Sequence, residues 1–163
     1  MLYFAYGANT HHAQMAYRCP NASFLSQATL PDHELVFRGV ADIRPAEGQT
    51  VVGALWDIDD QDLAALDRFE GYPSLYTRRG FSVRLDRRKH GFDRALAITY
   101  QMTQGRQLSP PADAYLNTLL QGYMDCGLPD EQIGVALSAT FAEHDGVLYR
   151  SRLWGQHGDR HAH

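Results

Sequence analysis

Cysteine and lysine are scarce in this sequence of 163 residues. The two cysteines, Cys19 and Cys126, are too few for a disulfide scaffold, so we expect a reduced, cytoplasmic protein. The single lysine, Lys89, lies in what we interpret as a solvated basic turn, which disfavours a Schiff-base lysine. Because Cys19 has no clear histidine partner, we interpret it as a small packed residue and not as a nucleophile.

The sequence also lacks a long apolar run and an excess of positive charge. No segment approaches the roughly 20 apolar residues that span a bilayer, and the first residues do not resemble a signal peptide. The net charge of −4 argues against a general nucleic-acid binder. With 44% hydrophobic and 21% charged residues, the composition is typical of a folded protein. We expect a single domain over residues 1–154 and a mobile tail over residues 155–163.

The common catalytic signatures are missing from the chain. The sequence has no Gly-x-Gly-x-x-Gly for a dinucleotide, no phosphate loop ending in Gly-Lys-Ser/Thr and no Gly-x-Ser-x-Gly for a serine nucleophile. Neither His-Glu-x-x-His nor Cys-x-x-Cys is present, so these zinc patterns are excluded and we expect no metal site. The histidines at the end of the chain are interpreted as solvated side chains without a role: His157, His161 and His163.

Apolar periodicity and turn residues predict strands in hairpin-like succession with helices at intervals. This order favours an α+β fold with a curved or closed mixed sheet and helices packed outside it. The predicted strands cover residues 1–7, 23–40 (one or two strands), 51–58, 75–86, 93–102 and 147–154. The predicted helices cover residues 10–19, 60–69, 111–126 and 130–143, and a loop is predicted at residues 45–49.

Glu70 is a carboxylate in an apolar position. It follows Leu63 and Leu66 at the spacing of the buried face of the predicted helix. It also lies at the C-terminal end of that helix, where the macrodipole disfavours a negative charge by about 0.3–1 kcal/mol. Two local rules are broken at one residue, as is expected at functional sites. The alternative is that the helix frays and Glu70 turns outward to pair with Arg68, Arg78 or Arg79.

Asp67, on the same predicted helix, is expected to face solvent or to cap a neighbouring segment.

A second feature is the segment Tyr6-Gly7-Ala8-Asn9, which follows the first predicted strand. Glycine and asparagine tolerate a positive φ, so this turn could present successive backbone N–H groups. A helix beginning directly after it would make those groups a small anion-binding site. The alternative is a plain turn from strand to helix.

Five motifs follow one another along the chain. They are Tyr6-Gly7-Ala8-Asn9, Arg18-Cys19-Pro20, the pattern Val-x-Gly-x-x-Trp at residues 51–56, the pattern Leu-Asp-x-x-Glu-Gly-x-Pro-x-x-Tyr-x-Arg at residues 66–78, and a late helix with Tyr115-Leu116 and Gly122-Tyr123. Over about residues 2–130, these motifs resemble the gamma-glutamylcyclotransferase-like family, including its avirulence-induced-gene-like branch. The second motif is similar to that of bacterial members.

The resemblance implies a small mixed β-barrel with flanking helices. It implies an enzyme that converts a γ-glutamyl amino acid, peptide or amine into 5-oxoproline and the free amine, using no cofactor, metal or water. Its partner is therefore a small-molecule γ-glutamyl substrate. Glu70 is implied as the general acid and base, with a pKa that burial raises above the ordinary value. The implied substrate-binding residues are Gly7, Ala8 and Asn9 through their backbone N–H groups, and Tyr6, Tyr76 and Tyr123 as pocket walls.

The sequence departs from the family pattern at Ala8, where serine is usual, and at Thr10, where an apolar residue is usual. Backbone N–H groups survive the first change and a hydroxyl contact does not, so the departure bears on the choice of substrate. Two rival functions stay open: a non-catalytic module that binds a small carboxylate, and a pathway-specific enzyme that removes a γ-glutamyl group from a biosynthetic intermediate. The sequence determines neither the leaving amine nor the oligomeric state.

Overall fold

The backbone alternates long strands with short helices. The computed structural model describes residues 1–103 and 106–148. The strands are β1 Leu2–Ala5, β2 Ser23–Phe37, β3 Ala41–Asp57, β4 Tyr76–Arg84 and β5 Arg94–Met102. The helices are α1 His12–Arg18, α2 Asp60–Glu70, α3 Arg87–His90, α4 Asp113–Cys126 and α5 Glu131–Glu143, and a 3-10 helix covers Ala8–Thr10.

The five strands close into a barrel in the order β1-β3-β2-β4-β5. β1 runs parallel to β5, with Tyr3 opposite Ile98, and each of the other neighbouring pairs is antiparallel. The barrel is therefore mixed. This confirms the α+β class and the small mixed barrel with flanking helices that the family resemblance implied.

The long hairpin of β2 and β3 corrects one prediction, since residues 45–49 lie within β3 and do not separate two elements. Pro31 pairs with Thr50 and His33 pairs with Pro45, so residues 46–49 bulge opposite Asp32 alone. Asp32 takes φ 55° there, and its Oδ1 accepts the Gly48 N–H at 3.0 Å. The proline and glycine signals that predicted a loop mark this bulge, and strand pairing resumes on both sides of it.

The barrel interior is filled by large apolar side chains. Its fully buried members include Phe4, Leu30, Phe37, Ile43, Val51, Leu55 and Val83. Backbones approach closely at Gly53, where an added Cβ would lie 2.5 Å from the carbonyl oxygen of Ala5. β1 can pack this tightly against β3 because Gly53 has no side chain.

The helix α2 has the ends that its sequence predicts. Asp59 forms a capping box with Asp62, so two N-terminal N–H groups are satisfied by side chains. Gly71 ends the helix in the left-handed region with φ 68°. Leu66 is fully buried against the barrel, and the last residue of the helix is Glu70. The caps thus fix where Glu70 emerges, at one end of the barrel.

Part of the C-terminal prediction lies outside the described residues. Residues 147–148 are described and do not belong to a strand, whereas residues 149–163, with the predicted tail and its histidines, are not described. In the part of the chain that the structure covers, the helices are too short or too polar to cross a bilayer.

Candidate active site

A cavity of about 50 Å³ opens where the end of β1, the 3-10 helix, the end of α2 and the start of β4 meet. Six of the seven predicted site residues line it: Tyr6, Gly7, Ala8, Asn9, Glu70 and Tyr76. The segment Tyr6-Gly7-Ala8-Asn9 and the carboxylate of Glu70 therefore form one site, although Asn9 and Glu70 are 61 residues apart in the sequence.

Glu70 faces this cavity and not Arg68, Arg78 or Arg79, the partners that the alternative offered. It is partly buried, and its Oε1 accepts a hydrogen bond from Asn9 Nδ2 at 2.7 Å. Burial raises the pKa of the Glu70 carboxyl to about 7, while the charge of Arg18 and the hydrogen bond from Asn9 act in the lowering direction. A carboxyl with a pKa near neutrality can both accept and donate a proton at physiological pH.

The side chain of Asn9 organises the site, whereas the sequence pointed only to its backbone. It is buried, and its Nδ2 donates to Tyr3 Oη at 2.8 Å as well as to Glu70. Its Oδ1 accepts a hydrogen bond from Arg18 Nη1 at 2.5 Å. The amide is therefore held from three directions, which fixes its N–H toward the Glu70 carboxylate.

Arg18 is a site residue that the sequence reasoning missed. Its guanidinium carbon lies 3.2 Å from the centroid of the Phe69 ring, and burial lowers its pKa to about 10. The available signal was the Arg18-Cys19-Pro20 motif, which marks the arginine as well as the cysteine. Burial raises the pKa of the Cys19 thiol to about 12, which agrees with its interpretation as a packed residue.

The turn at Gly7 and Ala8 forms one wall of the cavity. Gly7 has φ −111°, so its conformation does not need glycine, but an added Cβ would lie 3.0 Å from Tyr115 Oη and 3.3 Å from Ala41 Cβ. Close packing is thus the reason for glycine here, and not the positive φ that we expected. The 3-10 helix is closed by the hydrogen bond from the Thr10 N–H to the Gly7 carbonyl oxygen at 3.0 Å.

Tyrosines surround the cavity in larger number than the sequence indicated. Tyr6 and Tyr76 line it as predicted, and Tyr3, Tyr100 and Tyr115 do so as well. Tyr6 Oη donates to the Tyr100 carbonyl oxygen at 2.6 Å, and Tyr76 Oη donates to the Ala41 carbonyl oxygen at 2.8 Å. These bonds hold the rings against the barrel wall.

Tyr123 is the predicted site residue that does not line the cavity. Its ring is buried behind Tyr6, and its Oη donates to the Tyr6 carbonyl oxygen at 3.2 Å. Gln132 Nε2 donates to the same Tyr123 oxygen at 2.7 Å. Tyr123 therefore supports Tyr6 from behind.

Asp67 was predicted to face solvent or to cap a neighbouring segment, but its side chain contacts Tyr100 and Arg78. Its Oδ1 accepts a hydrogen bond from Tyr100 Oη at 2.6 Å and lies 3.3 Å from Arg78 Nε. Arg78, which sequence reasoning offered as a partner for Glu70, is thus paired with Asp67, one helical turn before Glu70.

Over residues 1–103 and 106–148, we find no group of three or more His, Cys, Asp or Glu side chains that could hold a metal ion.

Comparison with known proteins agrees with the barrel fold. The family described as "Gamma-glutamyl cyclotransferase, AIG2-like" matches residues 3–117. The chain therefore belongs to this family of enzymes. It is 32% identical over 143 residues to the gamma-glutamylcyclotransferase of Bos taurus, covering 80% of this chain and 73% of that protein.

Two further proteins are also similar to this chain. A solved structure of a gamma-glutamyl cyclotransferase superposes with a TM-score of 0.71 and 25% identity, covering 96% of both chains. The gamma-glutamylaminecyclotransferase of Rattus norvegicus is 44% identical over 41 residues, which cover 25% of this chain and 28% of that protein. Relatives named for two substrate classes thus share sequence with this chain.

Proposed function

We propose that this protein releases 5-oxoproline from a γ-glutamyl compound, with Glu70 as the group that moves the protons. The observation that carries the proposal is the placement of Glu70: a carboxyl at the wall of a tyrosine-lined cavity, held by Asn9 at 2.7 Å, with a pKa of about 7. Membership of the cyclotransferase family supports the same reaction.

The reaction is an intramolecular acyl transfer. The α-amino nitrogen of the substrate attacks its own γ-carbonyl carbon, forming the C–N bond of the five-membered ring. Glu70 takes a proton from that nitrogen and gives it to the departing amine as the original C–N bond breaks. One carboxyl suffices because it returns to its starting state, and such proton transfer contributes typically 10²–10⁴-fold.

The cavity supplies the remaining part of the acceleration by holding the substrate in a folded conformation. Well-oriented intramolecular reactions reach effective molarities of about 10⁵–10⁸ M, so positioning is a large share of the catalysis. The backbone N–H groups at Gly7, Ala8 and Asn9 are suited to the substrate carboxylate or to the developing oxyanion. The rings of Tyr6 and Tyr76 limit the space around the γ-glutamyl chain.

Arg18 and Asn9 tune Glu70 in this scheme. Both stabilise the ionised carboxylate and so oppose the effect of burial. Without them the carboxyl would stay protonated at neutral pH and could not begin as a base. With them its pKa stays near 7, where both protonation states are populated.

The test is 5-oxoproline release by the wild type and by Glu70→Gln, with a panel of γ-glutamyl amino acids, peptides and γ-glutamylamines. We expect release by the wild type and a loss of at least about 10²-fold in Glu70→Gln. The matched control is Asp60→Asn, which removes an exposed carboxylate from the same helix. It should keep full activity.

The panel also separates the rival functions. Equal rates in the wild type and in Glu70→Gln would remove Glu70 as the catalyst. Absence of release with every substrate, together with a ligand-induced rise in the melting temperature, would favour a non-catalytic carboxylate-binding module. Release from one bulky γ-glutamyl compound alone would favour a pathway-specific enzyme.

A further inference from the structure

The helix α2 brings two carboxylates to the barrel one turn apart, Asp67 and Glu70. Their surroundings differ. Glu70 is held by the neutral amide of Asn9, whereas Asp67 receives the hydroxyl of Tyr100 and lies against the cation of Arg78. The reaction proposed above uses only Glu70, so the contacts of Asp67 call for a separate explanation.

The contact between Tyr100 and Asp67 fixes the direction of a hydroxyl. A carboxylate has no proton to give, so Tyr100 is the donor in the 2.6 Å bond to Asp67 Oδ1. Burial and this hydrogen bond raise the pKa of Tyr100, so the hydroxyl keeps its proton. Tyr100 is also one of the residues that line the cavity. Because its proton is bound to Asp67, its hydroxyl oxygen can offer a ligand only lone pairs.

Two neighbouring tyrosine hydroxyls also donate their protons to the protein. Tyr6 donates to the Tyr100 carbonyl oxygen, and Tyr76 donates to the Ala41 carbonyl oxygen. The protons of three cavity tyrosines are therefore bound to protein acceptors. A hydroxyl whose proton is bound in this way can only accept, so the Tyr100 oxygen suits an N–H donor of a ligand better than a carboxylate.

We propose that Asp67 is a positioning residue that turns the Tyr100 hydroxyl so that its oxygen accepts a hydrogen bond from the α-amino group of the substrate. This inference rests on the proposed function, because it assigns the side of the cavity at which the nucleophilic amine binds. Arg78 Nε lies 3.3 Å from the same Asp67 oxygen and balances its charge, so the amine is held by an oriented dipole and not by a second free carboxylate.

The experiment compares two ligands that differ only in the α-amino group. One is a γ-glutamyl amide and the other is the glutaryl amide of the same amine, which lacks the nitrogen and cannot cyclise. The dissociation constant of the glutaryl amide and the KM and kcat of the γ-glutamyl amide are measured for the wild type, Asp67→Asn, Tyr100→Phe and the double variant. The matched control is Asp60→Asn, an exposed position on the same helix.

In Asp67→Asn the side-chain N–H can point at Tyr100 and reverse its hydroxyl. We expect KM for the γ-glutamyl amide to rise about tenfold in Asp67→Asn and in Tyr100→Phe, while the affinity for the glutaryl amide changes by less than about twofold. The double variant should be no worse than either single variant, because both remove the same hydrogen bond. Asp60→Asn should leave both values unchanged.

A merely structural role for Asp67 predicts another pattern, in which both ligands weaken together; that result would overturn the inference. If Asp67→Asn fails to fold, Tyr100→Phe decides alone, since it keeps the ring and removes only the acceptor oxygen. A wild type that turns over the γ-glutamyl amide while Tyr100→Phe shows no selective loss would refute the inference and leave the proposed function standing. A wild type that binds neither ligand would refute both.

Discussion

Asn9 Nδ2 and Glu70 Oε1 lie 2.7 Å apart, and this contact joins the 3-10 helix after the first strand to the end of the second α-helix. Asn9 has a further constraint, since Arg18 holds its amide oxygen and Tyr3 accepts its second N–H. The carboxyl thus meets a rigid donor instead of mobile water. Preorganised donors of this kind stabilise charge without reorganisation during the reaction.

Replacing Arg18 should change the titration of Glu70. Arg18→Met keeps much of the packing against Phe69 and removes a charge that stabilises the carboxylate, so the pKa of Glu70 should rise above about 7. An NMR titration of the Glu70 side-chain carboxyl measures this directly, and the acid limb of kcat/KM should move to higher pH with it. Arg68→Met, at an exposed position of the same helix, is the control and should leave the titration unchanged. A fall in the pKa of Glu70 in Arg18→Met would contradict the proposed electrostatics.

The raised pKa of Glu70 also predicts how stability depends on pH. Its pKa is about 7 in the folded state, against an ordinary value of 4.5, so folding favours the protonated form. The stabilisation is complete below pH 4.5 and is lost as the pH rises through 7. Glu70→Gln does not titrate and has no such loss. Between pH 4.5 and pH 7 and above, its free energy of unfolding should therefore rise relative to that of the wild type by up to about 3 kcal/mol.

Urea unfolding of the wild type and Glu70→Gln at several pH values from about 5 to about 8.5, a range that includes most of the titration, measures this difference. The expected result is a gap in unfolding free energy that widens with pH. Two parallel curves would show that Glu70 titrates normally in the folded protein. A gap that narrows with rising pH would mean that its pKa is lowered by folding.

Much of the fold follows from local chemistry. Asp59 and Gly71 bound α2 because capping and the left-handed terminus depend on residues a few positions apart. Glu70 could be found because it broke a helical pattern. The predicted loop at residues 45–49 was wrong because its proline and glycine act locally, whereas strand pairing on both sides depends on the whole barrel.

The rest of the site depends on contacts between distant parts of the chain. Asp67 meets Tyr100 across 33 positions, and only closure of the barrel brings them together. Arg18 reaches the site because α1 packs beside the end of α2, which no periodicity in the sequence reveals. The family resemblance placed Tyr123 among the pocket walls, but no pattern in the sequence could tell whether its ring meets the cavity or the back of Tyr6.

The position of Tyr123 predicts a structural role. Tyr123→Phe removes one hydroxyl that donates to the Tyr6 carbonyl oxygen and accepts from Gln132. We expect a loss of about 1 kcal/mol in stability and a change of less than about threefold in kcat/KM. Tyr6→Phe is the comparison, since Tyr6 lines the cavity and should lose more activity. An equal loss of kcat/KM in the two variants would restore Tyr123 as a direct substrate contact.

Gly53 and Gly134 should respond in opposite directions to the same substitution. An added Cβ at Gly53 would lie 2.5 Å from the Ala5 carbonyl oxygen and 2.6 Å from the Phe4 ring, and Phe4 is fully buried with no space to move into. Gly53→Ala should therefore destabilise the barrel by about 1–3 kcal/mol, through displacement of β1. Because β1 leads directly into the turn at Gly7, the same variant should also lower kcat/KM.

At Gly134, within α5, nothing lies within 4 Å of an added Cβ. Gly134→Ala should therefore stabilise the protein by about 0.5–1 kcal/mol, since alanine loses less backbone entropy in a helix. Thermal and urea unfolding of both variants provides the comparison. If both substitutions changed stability by the same amount, the effect at Gly53 would come from backbone entropy alone, and the close approach of β1 to β3 would not be what requires glycine there.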